Sequence, residues 1–291
     1  MQHLSAGELL REEIASGSST GQTIASIINE GKIVPVQVTL DLLRHKIESI
    51  KCNRFLVDGF PRNWDNVEGW NRCMGEVCDV EGVMFIDCPE HELERRLLSR
   101  GQTSGRSDDN AATARKRFAT FKEATMPIVD HFATQNMLLR VAGDQPVDAV
   151  FRDMKHAVQP FIEREIIQVT GALLDAVAGN DWDAYTSLVD PSLTCFEDET
   201  RGHLVQGLDF HKFYFDKLTA AEGWGGMGAG GPGSASAMLV AARPTVRAMG
   251  KSAVIHFTRT LPSGETFEES RVWQLIDGNW RQVHFHRGSK S

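Results

Sequence analysis

Arginine recurs in three short segments of the first half, and several arginines together are what phosphate chemistry would use. They are His3-Leu-Ser-Ala-Gly-Glu-Leu-Leu-Arg11, Phe55-Leu-Val-Asp-Gly-Phe-Pro-Arg-Asn63 and Arg100-Gly-Gln-Thr-Ser-Gly-Arg-Ser-Asp-Asp-Asn110. A guanidinium is planar, permanently charged and forked, so several of them can stabilise the charge spread over phosphoryl oxygens in flight. Each residue also has a plainer reading. A single arginine such as Arg11 on a helix is ordinarily a solvated face, Asp58 could be a turn former ahead of Gly59, and Arg115-Lys116-Arg117 could be a charged helical stripe.

The second half has its own candidates. Arg259 sits among Ile255, Phe257 and Thr258, and Arg271 precedes Val272-Trp273, so both fall in apolar, strand-like stretches. His284 and His286 alternate with Val283 and Phe285, which puts both imidazoles on one strand face; with no third ligand suggested nearby, no metal is expected there. The five cysteines form no C-x-x-C pair and are read as free thiols in a reducing compartment, with Cys88 as a small core residue.

The elements that position these residues change character along the chain. Up to residue 159, helix and strand alternate. Ser5 with Glu8 predicts a capped helix, further helices are expected over 21–30 and 36–49, and Arg54–Asp58, Val83–Cys88 and Met137–Val141 read as buried strands. Helices are expected from Pro89 to about Arg100 and from Pro146 to Ala157. Short apolar strands separated by helices predict a parallel sheet covered on both faces, an α/β unit. After Gln159-Pro160 the pattern predicts a long amphipathic helix from Phe161 to Ala178 and shorter ones over 182–189 and 208–218. Seven glycines between Gly223 and Gly233 predict a flexible loop. Alternating stretches over 238–249, 253–261 and 266–276, then a tight turn at Asp277-Gly278 into Trp280–His286, predict an antiparallel meander and an α+β unit.

The three arginine segments, with Gly31-Lys-Ile-Val-Pro35 and Asp65-Asn-Val-Glu-Gly-Trp70, resemble the nucleoside monophosphate kinases, most closely the UMP-CMP kinase branch. The resemblance implies a P-loop-kinase-like α/β domain over 1–159 that moves a phosphoryl group from ATP, with magnesium, to UMP or CMP. It implies that Arg11, Arg62, Arg106 and Arg117 hold the acceptor phosphates and the group in flight, and that Arg100 acts on the donor side. Lys32, Ile33 and Val34, with Gly59 and Asn66, would hold the acceptor's base and sugar, and Asp58 would act on magnesium through water. One departure stands out. The family's first strand and its Gly-rich phosphate loop ending in Gly-Lys-Gly-Thr precede the position matched by His3, and residues 1–291 contain no such loop. The expectation is an incomplete domain, without the backbone cradle for donor phosphates and with neighbouring strands carrying unpaired groups at ~1–3 kcal/mol each.

From residue 160 to the end the chain resembles the association, or hub, domain of calcium/calmodulin-dependent protein kinase II. The carrying segments are Leu204-Val-Gln-Gly-Leu-Asp-Phe-His-Lys-Phe-Tyr-Phe215, Glu269-Ser-Arg-Val-Trp273 and Asp277-Gly-Asn-Trp-Arg-Gln-Val-His-Phe-His-Arg287. The resemblance implies a cone-shaped fold of the nuclear transport factor 2-like (SnoaL-like) type, stacked homo-oligomeric rings, and Arg259 and Arg271 facing a cavity able to bind a small carboxylate or an acidic tail. Their alternative is a structural role in buried ion pairs. Phe210, Phe213, Tyr214 and Phe215 place much aromatic surface on one short helix, which suits an interface or, alternatively, a core. No H-R-D or D-F-G signature occurs.

Composition bounds the rest. A net charge of −8, shared evenly by the two halves, argues against a nucleic-acid or polybasic membrane partner. With no long apolar run and no basic-then-apolar start, a cytoplasmic location is expected. Two readings remain: a kinase-like module tethered to an oligomeric hub, or a non-catalytic oligomeric scaffold.

Overall fold

The computed structural model describes residues 1–30, 32–101, 111–217, 238–239, 242–260, 264 and 266–289. It divides into two units, Met1–Ala157 and Val158–Ser291. The Gly-rich stretch over 223–233 and Arg106 lie outside the described residues. Among the described residues no helix is long and apolar enough to cross a membrane.

The first unit opens with a strand that the periodicity did not show, β1 (Gln2–Ser5), directly before α1 (Ala6–Ala15). Ser5 caps α1 by accepting from the Glu8 N–H. Two helices follow, α2 (Ser19–Asn29) and α3 (Val36–Ser49), then β2 (Phe55–Asp58) and α4 (Trp64–Met74). β3 (Val83–Asp87) leads to α5 (Glu90–Gly101), α6 (Ala111–Thr120), a π-type turn at Phe121–Thr125, α7 (Met126–Thr134) and β4 (Leu138–Ala142). All pairing is parallel, β1 with β2 and β3 with β4, each a separate two-stranded ladder.

The expectation of strands buried on both faces needs correction. Phe55–Val57 and Val83–Phe85 are half-buried, Ile86 is 45% exposed, and Cys88 lies just past β3 rather than in the core. The reason is geometric. A two-stranded ribbon leaves one edge of each strand open, so the β2 and β3 edges are not shielded by a neighbouring strand. The apolar core collects instead where α3 meets the first ladder, around Leu4, Leu40, Leu43 and Met74.

A second correction concerns Pro160. Instead of ending one helix and starting another, it lies inside α8 (Val147–Ala178). An interior proline forfeits one i→i−4 bond and crowds the preceding turn, at a cost of about 3 kcal/mol. The strong helical periodicity on either side outweighs it.

The second unit continues with α9 (Trp182–Leu188), β5 (Val189–Phe196), a 3-10 turn at Asp198–Thr200, β6 (Val205–Gln206) and α10 (Asp209–Lys217). The meander follows as β7 (Thr245–Met249), β8 (Ser252–Thr260), β9 (Thr266–Ile276) and β10 (Asn279–Ser289). β7 is much shorter than the expected 238–249, and β5 and β6 went unforeseen. The six strands form one sheet in the order β6-β5-β10-β9-β8-β7, antiparallel except where β5 pairs with β10. Asp277 and Gly278, both at positive φ, make the tight turn between β9 and β10. Ile166, Leu173 and Leu174 of α8 pack with Trp273, Ile255 and Leu193 of the sheet as the core.

Candidate functional site

The turn leaving β2 is the most tightly specified part of the first unit. Gly59 has φ +76°, a conformation side chains resist, and a Cβ placed there would lie 2.8 Å from Arg62 Nη2. Arg62 Nε donates to the Gly59 carbonyl (2.7 Å), and the Arg62 N–H donates to Asn66 Oδ1 (3.0 Å). Asn66 is buried, and its own N–H is capped by Asn63 Oδ1 at the start of α4 (2.9 Å). Thr125 Oγ1, from the π-type turn, donates to the Arg62 carbonyl (2.7 Å). The loop is thus bonded from three directions while the Arg62 side chain remains on the exposed surface.

Asp58 ends β2 with its carboxylate 65% exposed and 4.0 Å from His3 Nε2 across the β1-β2 ladder. The structure therefore gathers Asp58, Gly59, Arg62 and Asn66. Lys32, Ile33 and Val34 lie together after α2, with Val34 buried and Lys32 paired to Glu30 at 2.7 Å. That hydrogen bond and the Lys32 charge hold the Glu30 carboxyl below its usual range, and Lys116 on α6 adds to the effect. Arg11, Arg100 and Arg117 sit on α1, α5 and α6 respectively. Asn63 and Thr125 were missed in the sequence. The N-cap position of Asn63 was detectable, whereas Thr125 reaches Arg62 across 63 residues and left no local signal.

In the second unit, a cavity of about 70 Å³ is lined by Arg259, Arg271, Arg287, Glu197, His211 and Tyr185 among others. Both foreseen arginines line it, and both pair with Glu269, whose side chain is fully buried: Arg259 Nη2 to Oε1 at 2.8 Å and Arg271 Nη2 to Oε2 at 2.5 Å. Arg271 Nη1 also donates to Gln282 Oε1 (2.8 Å). Burial by itself would raise the Glu269 pKa, but Arg271 and Arg259 outweigh it and keep the carboxylate ionised. Burial lowers the Arg259 pKa and pushes His211 down to about 4, a neutral imidazole.

Strand register makes this cluster. Phe257 is paired with Glu269 and Arg259 with Phe267, so Arg259 and Glu269 are diagonal neighbours on one face, joined there by Arg271 two residues on. On β10 the register shifts between Gln282 and His284. That shift brings Phe285 and Arg287 inward, while His284 and His286 meet Phe196. Arg287 Nη2 reaches Glu197 Oε2 at 2.8 Å. Glu269 was legible, because it shares an i,i+2 face with Arg271. Glu197 and Arg287 were not, since their pairing depends on the register shift.

Comparison with known proteins agrees with this division. The adenylate kinase family profile matches residues 1–137, and that of the calcium/calmodulin dependent protein kinase II association domain matches 162–291. The UMP-CMP kinase of Danio rerio is 46% identical over 163 residues, covering 54% of this chain and 83% of the relative. The uridylate kinase of Saccharomyces cerevisiae is 45% identical over 161 residues, 54% of this chain and 78% of the relative. The association domain of C. elegans CaMKII is 32% identical, covering 45% of this chain and 97% of that one, at a TM-score of 0.34. Through residues 1–137 the chain belongs to the adenylate kinase family, beside the UMP-CMP kinases, and through residues 162–291 it carries a calcium/calmodulin-dependent protein kinase II association domain.

Proposed function

We propose that residues 1–159 form a UMP/CMP kinase-like phosphotransferase module and that residues 160–291, of the nuclear transport factor 2 type, assemble it into rings. The observation that carries the first part is the turn after β2, where Asn66 and Thr125 hold the Arg62 backbone, the Gly59 carbonyl accepts from Arg62 Nε, and the Arg62 side chain lies on the exposed surface. In this reading Arg62 takes the acceptor phosphate, helped by Arg11, Arg106 and Arg117, while Arg100 acts on the donor. Lys32, Ile33 and Val34 hold the base and sugar. The exposed Asp58 carboxylate suits a hydrated magnesium ion, which would neutralise donor phosphate charge. What these residues do is position and stabilise charge, the main demand of phosphoryl transfer.

Donor binding is the weak point of the module. No Gly-rich loop ending in Gly-Lys-Gly-Thr occurs in residues 1–291, and β2 and β3 belong to separate ladders with open edges. Transfer is expected only when a phosphate loop of this kind is supplied, and without one the second reading, a scaffold with an inert kinase half, holds.

Calorimetry with UMP and CMP, and a transfer assay with ATP, separate the two. Residues 1–291 should bind UMP or CMP and lose binding in Arg62→Ala. Turnover should appear when a Gly-x-Pro-Gly-x-Gly-Lys-Gly-Thr segment is joined in frame ahead of residue 1. Failure to bind either nucleotide would leave the scaffold. For the hub, Phe213 is 56% exposed and Leu204 54% exposed, which supports an interface there. The cavity is read as an anion site, since Arg259, Arg271 and Arg287 outnumber Glu197 and Glu269.

A further inference from the structure

Inside a helix a threonine hydroxyl commonly back-bonds to the carbonyl four residues earlier, as Thr120 Oγ1 does to the Lys116 carbonyl (3.0 Å). Thr125, five residues on, directs its hydroxyl elsewhere. It donates out of the helix to the Arg62 carbonyl (2.7 Å), in the turn after β2. We propose that Thr125 is a positioning residue for Arg62, and that the π-type turn carrying it is the joint that sets the Arg62 turn against the helix bearing Arg117. The proposal rests on the reading of Arg62 as an acceptor-phosphate ligand and adds the residue that aims it.

The joint has a local cause. Pro127 has no N–H to give the Glu123 carbonyl four residues back, and its ring crowds that carbonyl. The chain widens there, and the Met126 N–H donates to the Phe121 carbonyl, five residues back. One inserted residue of this kind turns the preceding helix by about 100° relative to the following one. α6 and α7 are therefore phased independently, and burial of Ile128, Val129 and Phe132 on α7 does not by itself fix the face on which Arg117 lies.

Three contacts pin the joint to separate elements. The Phe121 ring stacks on Phe85 of β3, with centroids 6.1 Å apart and planes 23° from parallel. Lys122 Nζ pairs with Glu90 Oε2 of α5 at 2.5 Å, and Thr125 takes the Arg62 carbonyl. Ahead of the joint, α6 carries Arg117, and the charge of its Lys116 acts on Glu30, the partner of Lys32. One helical run therefore reaches both the Lys32 segment and the Arg62 turn. At Arg62 the N–H is held by Asn66 Oδ1 (3.0 Å), Nε by the Gly59 carbonyl (2.7 Å), and the carbonyl by Thr125. Of these three bonds, the Thr125 bond comes from outside residues 59–66, so it fixes the arginine relative to α6 rather than to its own loop.

Calorimetry on the full chain tests this with UMP and, at millimolar concentration, uridine. Thr125→Val removes the hydroxyl at nearly constant shape, and because the bond is exposed, water can take its place at the carbonyl. UMP affinity should fall roughly 3–10-fold, the net worth of one hydrogen bond, while uridine, which has no phosphate, binds as before. Thr125→Ser should restore UMP affinity. Equal losses for UMP and uridine would mark a general loosening of the fold and overturn the positioning role, as would unchanged UMP affinity in Thr125→Val or no recovery in Thr125→Ser. Should Thr125→Val fail to fold, Thr125→Ala reads the same loss. If the unchanged chain binds UMP and Arg62→Ala does not, the reading of Arg62 stands whatever Thr125 does. If the unchanged chain binds neither UMP nor CMP, that reading falls and the Thr125 role falls with it.

Discussion

At Gly59 a single methyl group would do two kinds of damage. A non-glycine residue at φ +76° carries a backbone cost of about 1–2 kcal/mol, and the added Cβ would lie 2.8 Å from Arg62 Nη2. Gly59→Ala is therefore expected to weaken UMP binding at least tenfold by displacing the guanidinium, while chemical denaturation of the first unit shifts by no more than about 1–2 kcal/mol. At the hub cavity the decisive residue is Glu269. Glu269→Gln leaves Arg259 and Arg271 without their carboxylate and should cost about 3–5 kcal/mol at neutral pH, read by denaturant unfolding of the second unit. Because the folded Glu269 pKa lies below its ordinary value, its contribution is complete above about pH 4.5. It is lost as pH falls through the lower folded value. The acid-induced fall in stability should accordingly be shallower in Glu269→Gln. The chemistry of these residues was readable because arginine and glycine have few roles at such spacing. Two of their bonding partners were not, since Thr125 lies 63 residues from Arg62 and Gln282 meets Arg271 only through the pairing of β9 with β10.

Elements followed from periodicity where burial is one-sided. The α3 bounds, the strands β2, β3 and β4, and the turn at Asp277-Gly278 were legible because apolar spacing and positive-φ residues act locally, whereas α4, α6 and α7 were not foreseen. β1, β5 and β6 were not. Four or fewer residues carry little periodicity in β1 and β6, and β5 begins directly at the end of α9 with Pro191 inside it. Pro160 misled in the other direction, because the local penalty was outweighed by a helix long enough to absorb it. Close approach of helices is also an element property. A Cβ on Gly21 would meet the Glu13 carbonyl oxygen at 2.4 Å, where the end of α1 touches the start of α2. Ser18 ties the same junction, accepting from the Gly21 N–H (2.8 Å) and donating to Glu13 Oε1 (2.6 Å). Gly21→Ala is expected to destabilise the first unit by about 1–3 kcal/mol through overpacking, and Ser18→Ala by about 1 kcal/mol through loss of the cap. Thermal melts of the two variants check both.

For the molecule as a whole, the proposed ring assembly would make the joining of these two units a source of multivalency. A ring of hubs would hold many kinase-like units at high effective concentration, so that individually weak contacts with a shared partner become strong together. Light scattering should return a mass of many chains, and Phe213→Asp, which places charge on an exposed aromatic position of α10, should reduce that mass while leaving UMP binding intact. A monomer mass for the unchanged chain would remove the assembly reading.

The sequence by itself determined that there are two different units, which families they belong to, and which arginines are candidates for phosphate and cavity chemistry. These properties reside in residue identity and short-range spacing, and they survive without knowledge of contacts. Only the tertiary structure decided that the first unit's strands form two open parallel ladders, and that Arg259, Arg271 and Glu269 share one buried network. It alone brought Arg287 to Glu197. The physical reason is register: a shift of one residue in β10 changes which side chains face inward, and such a shift is set by the packing of the whole sheet on α8 rather than by any residue's neighbours in the chain.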